Sequence, residues 1–260
     1  VINGYAQAGD PEKAEAILSH MQKAFNSGNL GCGPNNTCYS AVINAHATAG
    51  DTKKAQGILE RMINEYTMGN KNCKPSNHSF SSVIKAWSRA GGVNAGREAE
   101  DVLNRMIQAH REGQLDFLPD VVSYGATIDA YAQVPDPEAA ERVLDRMFQD
   151  FESGNKNCAP NIECFSTVIK AHARSGKRSA GQRAEEILGD AKKLLGGANV
   201  FIYSSVIDAF AVFGDIGNAA RVFNLMLEEY NQGNKNCKPD VTSYGALLKS
   251  LARSRKKRAG

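Results

Sequence analysis

Apolar residues recur along the chain at spacings of three and four residues, which is the pattern of an amphipathic α-helix rather than of a β-strand. In residues 36–50 the pattern consists of Tyr39, Val42, Ile43 and the ring of His46. Five further stretches show a similar order of aromatic, small and paired aliphatic residues, and they follow residues 76, 120, 161, 199 and 240. We therefore predict a set of equivalent helices, called here the first helices.

A second helical pattern follows each first helix after a glycine or a short polar turn. It reads Ala-x-x, then two large apolar residues, then x-x-Met, with Ala in place of Met in one copy. Its copies are Ala14/Ile17/Leu18/Met21, Ala55/Ile58/Leu59/Met62, Ala99/Val102/Leu103/Met106, Ala140/Val143/Leu144/Met147, Ala184/Ile187/Leu188/Ala191 and Ala219/Val222/Phe223/Met226. These second helices complete helix–turn–helix units, each of which must share its apolar face with its neighbours.

Stacking of such units predicts an all-α fold, an α-solenoid in which helix–turn–helix repeats form a right-handed superhelix. We expect one solenoid over residues 1–260, with partial repeats at 1–35 and 241–260. The full repeats are expected at 36–76, 77–120, 121–161, 162–199 and 200–240. Because residues 1–9 read as the middle of a helix, we expect the chain to be a piece of a longer protein.

The five letters GNKNC occur three times, at residues 69–73, 154–158 and 233–237. Their near-equal separation indicates a repeat boundary, and Cys32 lies at the equivalent position of an earlier copy. We expect these cysteines to pack as small apolar residues under the next unit. The alternative is a disulfide or a metal site, for which Cys32 with Cys38 and Cys158 with Cys164 are close enough in sequence. No CxxC pair accompanies them, so we expect no metal and no cofactor.

Composition narrows the function only slightly. No apolar run approaches the ~18 residues that span a bilayer, so no membrane partner is expected. The net charge is +3, and it becomes −2 without Arg253, Arg255, Lys256, Lys257 and Arg258. Bulk charge therefore does not indicate nucleic-acid binding. The sequence shows no Gly-rich phosphate loop, nucleophile motif or His/Cys/Asp cluster, so we expect no enzyme, and we interpret His46 and His172 as packing residues.

The order Tyr-x-x-aliphatic-Ile-x-Ala, then Ala-x-x-aliphatic-Leu-x-x-Met, then Pro-Asp or Pro-Asn resembles the pentatricopeptide repeat over essentially the whole chain. The repeats here are about 41 residues long, compared with roughly 35 in that family. The surplus lies between the Met of each second helix and the next turn proline, and only the stretch from Ala191 to Ala198 is short. We expect the surplus to extend the second helices.

The resemblance implies binding of single-stranded RNA, at about one base per repeat, through two side chains of each repeat. One follows the first-helix aromatic: Ser40, Ser81, Gly125, Ser166, Ser204 and Gly245. The other is the last residue of the repeat: Asn35, Ser76, Asp120, Asn161, Asn199 and Asp240. A small residue with Asp then implies guanine and with Asn implies adenine. In the 5′ to 3′ direction, the first pair, Ser40/Ser76, is left unassigned. The next four pairs imply G, A, A and G, and they are Ser81/Asp120, Gly125/Asn161, Ser166/Asn199 and Ser204/Asp240.

Two further sets of side chains are expected on the same surface. Base-stacking positions lie two residues before the aromatic, at Thr37, His78, Val122, Phe201 and Thr242, whereas Glu163 departs from the family pattern. Basic pairs four residues apart share one helix face and suit phosphate contacts. They are Lys85/Arg89, Lys170/Arg174 and Lys249/Arg253. The alternative for these cations is ion pairing between repeats, for instance of Lys170 with Asp129 or Asp208.

The alternative function is a protein-binding helical scaffold within a ribonucleoprotein or a ribosome-associated complex. Ser is a good residue near a helix start, and Asn or Asp after proline is a common N-cap, so each base-reading position also has a purely structural interpretation. We expect a monomer that binds single-stranded RNA, with protein partners on the convex face. The family resemblance implies a mitochondrion or plastid and a role in RNA processing, stability or translation.

Overall fold

The structure is a computed structural model that describes residues 1–134 and 136–259. The side chains of Leu30 and of residues 255–259 lie outside this description. The side chains of four of the five basic residues near the C-terminus, Arg255, Lys256, Lys257 and Arg258, therefore lie outside the described part of the structure. No described helix is long and apolar enough to cross a membrane.

Thirteen α-helices account for most of the described residues, and no strand is found among them. They are α1 (Ile2–Gln7), α2 (Pro11–Asn26), α3 (Asn36–Ala49), α4 (Thr52–Thr67), α5 (Asn77–Ala90), α6 (Ala95–Arg111), α7 (Val121–Gln133), α8 (Pro137–Glu152), α9 (Ile162–Arg174), α10 (Ala180–Leu195), α11 (Val200–Val212), α12 (Ile216–Asn231) and α13 (Val241–Ala259). Odd-numbered helices are the first helices and even-numbered helices are the second helices. The predicted all-α class is confirmed.

Six first helices begin at residues 36, 77, 121, 162, 200 and 241, which are the first residues of the predicted repeats. The division into repeats itself stays a prediction. Three second helices begin after an aspartate whose carboxylate accepts a backbone N–H bond: Asp10, Asp136 and Asp215. Proline occupies the first helical position of α2 and α8, where no N–H is needed for the helix.

The described residues form two compact units, residues 1–130 with 155–158 and residues 131–154 with 159–260. In the first unit, α3 packs against α1, α2, α4 and α5. In the second unit, α11 packs against α9, α10, α12 and α13. Each of these first helices thus contacts its own second helix and the neighbouring repeats, which is the arrangement that a solenoid requires.

The predicted apolar stripes are buried. The alanine that heads the second-helix pattern is fully buried in all six copies, Ala14, Ala55, Ala99, Ala140, Ala184 and Ala219. A small residue here lets neighbouring helices approach, while Tyr39, Phe80 and Tyr203 of the first helices fill the space between them. Full burial of one such aromatic or aliphatic side chain stabilises the fold by about 1.5–3 kcal/mol.

The expectation that the surplus residues extend the second helices is wrong. Helix α4 belongs to a long repeat and α10 to the short one, yet both contain 16 residues. In four places the surplus instead forms a glycine turn and a short 3-10 turn, at Leu30–Cys32, Lys71–Cys73, Lys156–Cys158 and Lys235–Cys237. In residues 112–120 it forms turns without a 3-10 helix. The glycine of each GNKNC copy has a φ of 109° to 112°, which favours glycine because it lacks a Cβ.

The cysteines of the three GNKNC copies are buried, as a small apolar residue would be. The Sγ atom of Cys73 lies 3.0 Å from the carbonyl oxygen of Pro34, on the preceding turn. Burial raises the pKa of the Cys73 thiol to about 12, so this thiol stays protonated at neutral pH. Within the described part of the chain, all six cysteines are free and no group of side chains is placed to hold a metal ion.

Candidate nucleic-acid interface

The last residue of each predicted repeat caps the first helix that follows it. Its side-chain oxygen accepts a hydrogen bond from the backbone N–H three residues further along the chain. The N–O distances are 3.0 Å for Asn35, 3.3 Å for Ser76, 2.9 Å for Asp120, 3.0 Å for Asn161, 3.1 Å for Asn199 and 2.9 Å for Asp240. Such a cap contributes about 1 kcal/mol to stability and holds the side chain in one orientation.

Capping uses only one polar atom of each Asn or Asp. In Asp120 and Asp240 the capping atom is Oδ1, and no further bond of Oδ2 is found among the described residues. In Asn161 and Asn199 the Oδ1 atom caps the helix, which leaves the Nδ2 group. The aspartates therefore present a hydrogen-bond acceptor, whereas the asparagines present a donor.

The residues after the first-helix aromatic are less accessible than a base-contacting surface requires. Ser81, Ser166 and Ser204 are only 6%, 7% and 5% exposed. The hydroxyls of Ser81 and Ser166 donate to the carbonyl oxygens three residues earlier in the same helices. Ser40 is half-buried, and Gly125 and Gly245 add no side chain. These residues are thus small groups that lie mostly beneath the accessible surface of the first helices.

The predicted stacking positions are exposed, as is Glu163, where the family pattern is broken. Phe201 is 62% exposed and Val122 is 38% exposed. Thr37, His78 and Thr242 are also exposed. An exposed aromatic ring on a folded surface suits contact with another flat group, and base–aromatic stacking is worth about 1–3 kcal/mol.

The basic pairs lie at the surface, but they differ in their partners. For Lys85, Arg89 and Lys170 no partner is found among the described residues. Arg174 makes one long contact with a backbone carbonyl oxygen, 3.4 Å from that of Ala132.

The last basic pair is engaged with α11. Lys249 forms an ion pair with Asp208 at 2.5 Å, and Arg253 donates to the carbonyl oxygen of Val212. Asp208 therefore pairs with Lys249 rather than with Lys170. Ion pairing between repeats, one of the two interpretations of these cations, applies to Lys249.

One groove within the second unit is lined by members of three predicted sets, the stacking residues, the residues after the first-helix aromatic and the basic pairs. It lies between α9, α11 and α13 and has a volume of about 460 Å³. Its lining includes the basic residues Lys170, Arg174 and Lys249, the exposed ring of Phe201, and the polar residues Ser204 and Asp208. Sequence-predicted stacking, base-reading and phosphate-contacting residues thus meet on one surface.

Comparison with family models identifies the repeat. The pentatricopeptide repeat domain model matches residues 112–175, and the PPR repeat model matches residues 1–24, 37–66 and 201–230. The chain belongs to the pentatricopeptide repeat family. Both models describe repeats of this family, and neither describes a catalytic domain. A comparison with curated proteins finds no match.

Solved structures of the pentatricopeptide repeat protein PPR10 resemble the chain. The crystal structure from maize aligns with a TM-score of 0.61 at 22% identity, over 98% of this chain and 31% of that one. A cysteine-substituted PPR10 in complex with an 18-nucleotide RNA element aligns with a TM-score of 0.64 at 18% identity, over 98% of this chain and 32% of that one. PPR10 in complex with an 18-nucleotide psaJ RNA element aligns with a TM-score of 0.52 at 18% identity, over 99% of this chain and 38% of that one. The chain spans about a third of these relatives, and the likeness confirms the α-solenoid fold.

The sequence pattern did not reveal the polar contacts that hold first helices in place. His46 is fully buried and its Nε2 lies 3.0 Å from Glu15, which also accepts from Arg61. His172, Glu141 and Arg183 form the same arrangement on α9, α8 and α10. In a third place, Trp87 Nε1 donates to Gln56 at 2.8 Å. The available signal was the recurrence of Glu or Gln directly after the second-helix alanine.

Proposed function

We propose that this pentatricopeptide repeat chain binds single-stranded RNA with a base preference set at about one base per repeat. The observation that carries the proposal is the series of six capping residues. Each is held in one orientation by its cap, and five of them keep one polar atom beyond it. One oriented donor or acceptor in each of these repeats suits recognition of one unpaired base per repeat.

The chemistry of the remaining atoms supports the assigned bases. The free carboxylate oxygen of Asp120 or Asp240 only accepts hydrogen bonds, and guanine presents N–H donors on its pairing edge. The Nδ2 group of Asn161 or Asn199 donates, and adenine offers ring nitrogen acceptors. The order of pairs then selects G, A, A, G from 5′ to 3′, beginning with Ser81/Asp120.

The basic groove supplies affinity without choosing the sequence. Lys170 and Arg174 present two cations beside the ring of Phe201, so a phosphate chain can follow the groove while a base stacks on the ring. We place the activity in a mitochondrion or plastid, in RNA processing, stability or translation. The chain acts there by binding as a monomer and not by catalysis.

A selection from randomised single-stranded RNA, followed by sequencing, tests this function. We expect bound molecules to be enriched in a GAAG register and to lose binding when that register is paired in a duplex. Binding without base preference, or no binding, contradicts the proposal. No RNA binding together with specific capture of a defined ribonucleoprotein component on the second-helix side would favour the scaffold function instead.

A further inference from the structure

The asparagine at the start of each short 3-10 turn in the GNKNC copies bonds to the turn one repeat earlier. The Nδ2 group of these turn asparagines donates to a carbonyl oxygen: Asn70 to Pro34 at 3.4 Å, Asn155 to Pro119 at 2.8 Å and Asn234 to Ala198 at 3.1 Å. Every acceptor residue stands directly before a capping residue, namely Asn35, Asp120 or Asn199. The contact is therefore the same in three places of the chain.

Each turn asparagine is itself fixed at its other end. Its Oδ1 atom accepts from the backbone N–H two residues further along, at 3.3 Å for Asn70 and Asn155 and 3.2 Å for Asn234. This local bond shapes the loop and orients the amide group. Asparagine suits the position because it offers an acceptor and a donor on one short side chain, whereas aspartate lacks the donor.

The cysteine of the same motif supports the contact in two of the copies. Cys73 Sγ lies 3.0 Å from the carbonyl oxygen of Pro34, and Cys237 Sγ lies 3.2 Å from that of Ala198. Burial, followed by the neighbouring Glu229, raises the pKa of the Cys237 thiol to about 12, so the thiol keeps its proton. Two donors, Asn70 and Cys73, thus converge on the Pro34 carbonyl group, whereas the single thiol proton of Cys237 is shared between Ala198 and Glu229.

The contact fixes the peptide plane from which a capping residue projects. The carbonyl carbon of Pro119 is bonded to the nitrogen of Asp120, so holding the Pro119 oxygen holds this peptide. On the other side, the Asp120 side chain is held by the N–H of Ser123. We propose that the turn asparagines are positioning residues that set base selectivity by fixing the capping residues. This inference rests on the proposed function, because it assumes that the capping residues read bases.

The chain contains two natural exceptions. Gln114 replaces the turn asparagine of the repeat that begins at Asn77, and its Nε2 group donates to Glu112 instead. The short repeat that begins at Ile162 ends in residues 196–199, which lack the motif altogether. The carbonyls before Ser76 and Asn161 therefore receive no such bond among the described residues. We expect the base facing Asn161 to be chosen less strictly than the base facing Asn199.

Asn155→Asp is the sharpest test. It keeps the acceptor for the loop but removes the donor to Pro119, at the site where the bond is shortest. The matched control is Asn157→Asp, which adds the same charge in the same loop at an exposed side chain. The nucleotide facing Asp120 is first located as the one whose preference Asp120→Asn changes. Dissociation constants are then measured for four RNAs that differ only at this nucleotide.

We expect Asn155→Asp to lower the preference for G over A at this nucleotide by about 2- to 10-fold, the range for loss of one hydrogen bond. The preference for G at the nucleotide facing Asp240 should stay unchanged. The salt dependence of RNA binding should be the same for Asn155→Asp and for the control Asn157→Asp. An unaltered preference, or equal loss at every nucleotide, overturns the inference. If Asn155→Asp does not fold by circular dichroism, Asn234→Asp is measured at the A facing Asn199. A wild-type chain without any base preference instead refutes the proposed function.

Discussion

Helices α3 and α9 are held in the same way but present different surfaces. Each carries a buried histidine, His46 or His172, that contacts a glutamate of the preceding second helix. Each glutamate also contacts an arginine of the following second helix. On the side that lines a groove, however, α3 carries Asn44 and Thr48 where α9 carries Lys170 and Arg174.

The grooves beside these helices show the consequence. The groove between α1 and α3 has a volume of about 450 Å³, close to the 460 Å³ of the groove between α9, α11 and α13. The first is lined by Asn, Gln, Thr, Ala and Gly, and the second contains three cations and one aspartate. The two grooves are therefore similar in size but differ in charge, and the polar residues of the first helices that line them account for the difference.

The largest effect is expected from breaking the support of α9. Burial alone raises the pKa of Glu141, but hydrogen bonds from His172 and then from Arg183 outweigh it and lower the pKa to about 2. A lowered carboxylate pKa stabilises the fold above the unfolded value near 4.5, and this contribution is lost as the pH falls towards 2. Glu141→Gln should thus lower the unfolding free energy at pH 7 by on the order of 3 kcal/mol.

Urea unfolding between pH 7 and pH 3 measures this. The difference between wild type and Glu141→Gln should shrink as the pH falls below about 4.5. The Trp87–Gln56 contact contains no carboxyl group, so the cost of Gln56→Ala should not vary over the same range. If the loss of unfolding free energy caused by Glu141→Gln does not depend on pH, the ionised carboxylate does not stabilise α9.

A smaller effect is expected from removing the charge of α9. Lys170→Ala with Arg174→Ala should weaken RNA binding by about tenfold and reduce the slope of log K against log salt by about 1.4, since each single-strand phosphate contact contributes roughly 0.7. The base preference should survive. Titrations at several salt concentrations measure the slope, and Thr48→Ala in α3, at the position equivalent to Arg174, is the control, while Asn44 is kept because its Nδ2 group lies 3.1 Å from Nε2 of His78. Equal slopes for wild type and the α9 variant would place these cations outside the RNA path.

The smallest effect is expected from Asp208, which pairs with Lys249 in the basic groove. Asp208→Asn frees Lys249 and should tighten RNA binding by about two- to threefold, with a slope that is steeper by up to roughly 0.7. Asp190→Asn removes the same charge from the second helix α10 and should change neither quantity. Weaker binding of Asp208→Asn than of Asp190→Asn would mean that the ion pair organises the groove.

The sequence was sufficient for features that depend on one repeat. Helical periodicity and capping residues gave the first-helix starts at residues 77 and 200, because both signals act within a few residues. Contacts between repeats were not predictable in the same way. The Asp208–Lys249 pair, the burial of Ser81 and the bond from Asn155 to Pro119 depend on how one hairpin sits on the next. The predicted extension of the second helices was also wrong, because the surplus residues of each long repeat form turns.

Asp120→Asn tests base reading most directly, because it exchanges an acceptor for a donor while both side chains can cap α7 through Oδ1. Selection from randomised single-stranded RNA is carried out with the wild type and the variant in parallel. We expect one nucleotide of the selected register to change from G to A while its neighbours keep their identities. An unchanged register, or a change spread over several nucleotides, would contradict recognition of one base by each repeat.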